Sequence, residues 1–180
     1  MSTFVSEDKV RLAIFHHPAC ELHEISGHPE QPQRVEGILA KLREEWPETA
    51  FRQVRNKPSD EILHMFHVPK HVSRFNALCK QVEKSAKLHS CDGDTHVMPK
   101  TREAAYYAVG AMIEAVDCAF LPDSDPAKID TAFCCVRPPG HHAERNRSQG
   151  FCFLSNAAIG AKYAQQRHGV KKVAVIDFDV

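Results

Sequence analysis

The chain has 180 residues, 43% hydrophobic and 26% charged, which suits one globular domain with a sizeable core. Lys plus Arg and Asp plus Glu are equal at 23 each, so net charge gives no reason to expect nucleic acid or membrane as a partner. The N-terminus, MSTFVSEDKVRLAIFHH, has an acidic pair and no apolar run of signal-peptide length, and no stretch approaches the roughly 20 apolar residues of a membrane span.

Val10, Leu12 and Ile14 alternate with charged and small residues and predict a first strand running to about Phe15. From Gln33 to Glu45, Val35, Ile38, Leu39 and Leu42 fall at helical spacing behind Pro32, a residue suited to a helix entry. Ala50 to Arg55 reads as a short strand. Ser59, Asp60 and Glu61 then offer an N-cap and an acidic first turn for a short helix over Ile62 to Phe66. Pro69 starts the next helix, with Val72, Phe75, Leu78 and Val82 on one face. Lys84 to Met98 is polar and turn-rich and reads as a surface loop. Pro99 opens a long helix to about Phe120 with Ala104, Ala108, Ala111, Met112 and Ala115 on one side, and LPDSDP (121–126) ends it.

The last fifty residues are the most informative. Ile129 to Val136 (IDTAFCCV) is the apolar run expected of a strand covered on both faces. A polar loop follows from Arg137 to Gly150. Ser155 or Asn156 can cap a helix through Arg167, and His168 with Gly169 supplies its stop. Lys171 to Val180 (KKVAVIDFDV) then reads as a second buried strand. Strand, crossover helix and strand make the unit of a parallel sheet, so the predicted fold class is α/β.

In such a sheet ligands bind beyond the carboxyl ends of the strands. Arg137 to His142 (RPPGHH) follows one predicted strand, and Asp177 and Asp179 share one face at the end of the next. A parallel crossover brings two imidazoles and two carboxylates to the same rim. Buried carboxylates are costly unless paired or bound to a cation. A divalent metal held by Asp, with a neutral His beside it to accept a proton, meets that requirement. The plainer alternative is an Asp that caps a turn and a His pair satisfied by backbone.

Other features select less. His64, His67 and His71 are interrupted by Pro69, which favours a surface or helix-end role over a metal face. His16, His17, His23 and His28 show no ligand spacing. Phe151, Cys152 and Phe153 fit either a core or the aromatic wall of a channel. The seven cysteines (20, 79, 91, 118, 134, 135, 152) include no C-x-x-C pair and read as free thiols in a reducing, cytoplasmic compartment.

Five segments together resemble the histone deacetylase superfamily, in particular the bacterial deacetylases and acetylpolyamine amidohydrolases related to class II enzymes. They are GHPEQPQR (27–34), DGDTHV (92–97), RPPGHHA (137–143), QGFCFLSNAAIGA (149–161) and VAVIDFD (173–179), in family order. The resemblance implies an α/β, three-layer fold with a mainly parallel central sheet, arginase/deacetylase-like. It also implies Zn2+ as cofactor and an acetylated lysine or acetylpolyamine as substrate. His141 and His142 match the tandem active-site histidines, the second as general base and the first oriented by an aspartate. Asp179 matches a zinc ligand. Asp177 matches the partner of the first histidine, which also helps hold a structural monovalent cation, usually K+. Gly150 and Phe151 match the channel that grips the acyl-lysine arm, Asp94 the rim carboxylate that accepts substrate hydrogen bonds, and Arg34 the arginine beneath the site.

The departures are equally definite. In the family the Asp-x-Asp end continues through one residue, here Val180, to a zinc-ligating histidine. A second ligating aspartate, the acyl-polarising tyrosine and the aspartate that pairs with the second histidine come later still. Tyr106, Tyr107 and Tyr163 do not match that tyrosine. Residues 1–180 are therefore expected to be the N-terminal portion of one catalytic domain, cut within its metal-binding motif and inactive by itself. An unpaired apolar strand at Val173 to Phe178 would invite self-association. A non-catalytic binding module and an arginase-like metallohydrolase remain as alternatives.

Overall fold

The computed structural model describes residues 10–179. At its centre Leu12–His16 forms β1, flanked by Ala50–Gln53 (β2) and Thr131–Cys134 (β5) in a three-stranded parallel sheet ordered β2-β1-β5. Ile14 stands opposite both Phe51 and Phe133 in the two registers. Val10 lies just outside the sheet, exposed.

Because side chains alternate along a strand, β1 divides its apolar residues between two layers. Ile14 packs with Val35 and Leu39 of α1 (Gln33–Glu45). Ala13 and Phe15 pack with Ala111 and Ala115 of α4 (Thr101–Ala119) on the opposite face. Helix, sheet and helix are the three layers. Gly110 allows α4 its approach to the strand exit, since a Cβ there would stand 2.5 Å from the Asn56 carbonyl oxygen.

A second, mainly helical core lies beside the sheet. It joins α2 (Asp60–Leu63), α3 (Pro69–Ser85), α4 and α5 (Asn156–His168) through Leu63, Val72, Phe75, Val109 and Ile159. Phe153 and Leu154, from the loop before α5, complete this core, Phe153 stacked on Phe75 with centroids 5.5 Å apart. Ser59 and Ser155 occupy N-cap positions without side-chain capping bonds, and α5 stops at Gly169 in the left-handed conformation. Among the described residues no helix is long and apolar enough to cross a membrane.

Four sequence expectations are corrected. The 84–98 segment is no free surface loop: His89–Ser90 (β3) pairs antiparallel with His96–Val97 (β4), and Thr95 and Val97 are fully buried. Turn-rich composition marked the hairpin tip and hid its anchor. β5 is not covered on both faces, and Phe133 is half exposed. Among the described residues it stands at the edge of the sheet, with only β1 as a neighbour. The Lys171 to Asp179 segment is not a strand, and it is exposed rather than buried; Val180 lies outside the described residues. Val173, Val175, Ile176 and Phe178 are 42–90% exposed because no neighbouring strand or helix layer covers them among the described residues. Finally, His67 and His71 are buried, not at the surface.

His67 holds the loop before α5. Its Nε2 accepts the Ser155 N–H at 2.9 Å, so its proton sits on Nδ1, facing the Arg145 carbonyl at 3.3 Å. Burial holds its pKa down to about 4, from 6.5. Burial likewise holds His23, bonded to Thr101 Oγ1, down to about 3. Since the folded values lie below the unfolded one, the unfolded chain takes up protons first as pH falls. The stability due to neutral imidazoles is therefore complete above about pH 6.5 and is lost towards pH 4, each histidine costing at most about 1.4 kcal/mol per pH unit. Urea midpoints at pH 7.5 and 5.0 should show this drop, and it should shrink in His67→Gln. An unchanged drop would mean that His67 titrates alike in folded and unfolded chains.

Candidate metal and catalytic site

The sheet ends at Cys134, and the following loop, 135–150, carries His141 and His142 past the carboxyl end of β5. The two rings lie 4.2 Å apart, centroid to centroid. After α5 the chain returns to the same place, and His141 Nδ1 meets Asp177 Oδ2 at 2.9 Å. A carboxylate only accepts, so Nδ1 carries a proton, and in the neutral imidazole Nε2 then keeps its lone pair. That Nε2 stands 3.6 Å from Asp179 Oδ2. The Asp179 N–H donates to Asp177 Oδ1 at 3.2 Å; this bond and the one from His141 hold the Asp177 carboxyl below its ordinary pKa.

His141, His142 and Asp179 each offer a ligand atom, and all three atoms lie within 4.8 Å of one another. The histidine pair and the aspartates, with 36 positions between His141 and Asp177, are thus brought to one point even though 171–179 forms no strand. One carboxylate and two imidazoles form an N/O donor set of the kind zinc takes, so these residues fit that ion.

The wall beside His142 is built by Gly150 and Phe151. Both have positive φ, +55° and +65°, and for Phe151 this costs about 1 kcal/mol or more. Two bonds hold the turn: the Gly150 N–H donates to Asp92 Oδ2 at 3.1 Å and the Phe151 N–H to Thr95 Oγ1 at 2.8 Å. Burial opposes the charge on Asp92, but the bonds from Thr95 and Gly150 outweigh it and hold the carboxyl below its ordinary value. Phe151 is half-buried, its ring edge-to-face with His28 at 4.6 Å. Cys152 and Phe153, by contrast, are core residues. The core reading of this triplet therefore holds for residues 152 and 153.

Asp94 sits in the β3–β4 tip on the same rim, and its carbonyl accepts from His28 Nε2 at 3.1 Å. Arg34 is 61% exposed and 4.0 Å from the Glu30 carboxylate, which buried Arg137 holds at 2.6 Å. Tyr106 and Tyr163 bond to residues elsewhere, Asp60 with Asn76 and Asp117. Sequence reasoning assigned no role to Glu30, Arg137, Asp92, Thr95 and His28, although each lies in a segment that carries the resemblance. Asp92 and Thr95 had a local signal, the Asp-x-x-Thr spacing of a side-chain-capped turn. The partners of the others lie far away in sequence.

A family model described as "Histone deacetylase domain" matches residues 28–180. The chain is 35% identical over 157 residues to the histone deacetylase-like amidohydrolase of Pseudomonas aeruginosa, covering 86% of this chain and 38% of that protein. It is 32% identical over 167 residues to the polyamine deacetylase HDAC10 of Homo sapiens, covering 91% of this chain and 23% of that protein. The solved HDA15 HD domain superposes with a TM-score of 0.76 at 26% identity, over 88% of this chain and 44% of that one. The chain thus spans between 19% and 48% of the length of the first curated relatives it matches.

Gly150 gives the site a test independent of any activity. A Cβ there would lie 2.7–2.9 Å from His142 Cδ2, Cγ and Cβ. Gly150→Ala should cost about 1–2 kcal/mol through its positive φ and displace the His142 ring, seen as a shift of its NMR resonances. Unshifted resonances would mean that the ring does not pack on this turn.

Proposed function

Because this chain belongs to the histone deacetylase domain family, we propose that it supplies the first part of a zinc-dependent catalytic domain. That domain would hydrolyse N-acetyl, or other acyl, amides on lysine or polyamine-like amines. The observation that carries the reading is the His141–Asp177 bond, with His142 and Asp179 beside it. The relatives' names, a polyamine deacetylase and an amidohydrolase, support keeping both amine classes. The seven free cysteines suit the reducing cytoplasm, which we include in the proposal.

Asp179 would hold the zinc ion, with Asp177 sharing a monovalent-cation site. When bound, zinc polarises a carbonyl oxygen and brings the pKa of water down towards about 7. The protein's own part lies in proton handling and placement. Asp177 fixes the His141 tautomer and orientation and stabilises positive charge on that ring. His142, with no side-chain partner for its ring nitrogens among the described bonds, is the group available to take a proton from the attacking water. The proton then goes to the departing amine nitrogen, so the C–N bond breaks to give a free amine and a carboxylate. Phe151 and Gly150 line the approach of the acyl arm, and Asp94 orients substrate at the rim.

The test separates the two histidine roles. In the full gene product, His142→Ala should lower turnover roughly 10²–10⁴-fold with zinc content nearly unchanged, whereas Asp179→Ala should lose zinc itself. Equal zinc loss in both would make His142 a ligand, as its place in the three-donor cluster also permits, and would overturn the general-base assignment.

A further inference from the structure

The loop that carries His141 and His142 has no helix or strand to fix it between Cys134 and Asn156. Polar contacts fix it instead, at its far end from His67, Asp92 and Thr95 and at its root from Arg137. Arg137, four residues before His141, is 2% exposed, and Glu30, its partner, is 3% exposed. Arg137 Nε donates to Glu30 Oε1 at 2.7 Å and Nη2 to Glu30 Oε2 at 2.6 Å, a two-point fork. Nη2 also faces the Glu30 carbonyl at 3.3 Å, and Nη1 donates to the Cys20 carbonyl at 2.8 Å. One guanidinium therefore ties three separate segments: the 3₁₀ turn Pro18–Glu21 after β1, the stretch leading into α1, and the histidine loop.

We infer that the Arg137–Glu30 pair is a positioning device for the catalytic loop. Through the backbone of residues 137–141 it sets where His141 and His142 stand relative to Asp177 and Asp179. The fork geometry matters as well as the charge, because Lys in place of Arg cannot make two parallel bonds to one carboxylate. A purely structural role predicts something different. Buried ion pairs are often replaced by apolar residues of similar volume without loss of stability, so stability and positioning can be separated experimentally.

This inference rests on the proposed deacetylase reading, and the experiment keeps the two apart. The full gene product is prepared as wild type, Arg137→Lys, and the double variant Glu30→Met/Arg137→Met. Melting, kcat and KM on an acetyl-lysine peptide, and the downfield proton resonance of His141 Nδ1–H are measured for each. The double variant should melt cooperatively, lose about 10²-fold in kcat, the scale of a misplaced catalytic group, keep KM within a few-fold, and lose or broaden the His141 resonance. Arg137→Lys should fold and show a smaller loss of the same kind. Wild-type kcat and an unchanged resonance in a folded double variant would overturn the inference. If the double variant does not fold, Arg137→Lys decides alone, and wild-type behaviour there overturns it. An inactive wild type would count against the deacetylase reading, leaving the His141 resonance to decide the positioning role.

Discussion

A guanidinium without water needs acceptors from the protein, and that requirement organises the centre of this molecule. Arg137 is enclosed with Glu30, and breaking such a pair by removing one partner typically costs about 3–5 kcal/mol. The cost is avoided only while the turn after β1, the approach to α1 and the histidine loop stay together. The sheet by itself would not hold them so. Among the described residues it has three short strands, and none of them pairs with the outer edge of β5. Apolar layers give the chain its general shape, but the ion pair sets the relation between the loop and its surroundings.

A second polar knot fixes the rim. Asp92 accepts from Thr95 N–H at 2.7 Å, from Thr95 Oγ1 and from Gly150 N–H, and so joins the hairpin tip to the turn at 150–151. The turn needs such anchoring, since Phe151 occupies a backbone region that a residue with a Cβ seldom adopts. Its left-handed geometry leaves the ring edge-to-face with His28, outside the core in which Phe153 sits. The same polar bonds therefore carry backbone strain and place a side chain where a ligand could meet it.

Between these knots lie the histidines and aspartates. Asp177 and Asp179 come from an exposed, unpaired segment, yet their carboxylates meet His141. The segment's apolar residues have no cover among the described residues, so polar contacts at its end set its position. A carboxylate–imidazole bond orients the ring, determines its tautomer and leaves the second nitrogen free, which is the preparation proton transfer requires.

Patterns within a few residues were legible in the sequence. Helical spacing of Val35 and Leu39 predicted α1 to both ends, and that of Val72, Phe75 and Val82 predicted α3 from its start at Pro69, because an amphipathic face is a local property. Alternation gave β1 within a residue or two. Spacing and family resemblance also singled out His141, His142, Asp177 and Asp179, which the structure brings together. Properties that depend on what lies opposite were not legible. The apolar run at 173–178 reads as a buried strand, but burial and pairing belong to neighbours, and it has none among the described residues. Asp92 looked like loop composition until its partner Gly150, 58 positions away, came beside it. Arg34 and Arg137 are equally cationic in sequence; only packing decides that Arg137 takes the Glu30 carboxylate and Arg34 faces water. Residue type and local periodicity determine which elements form and which side chains can do chemistry. Desolvation and hydrogen-bond partnership across the fold decide which of those side chains are held in place to do it.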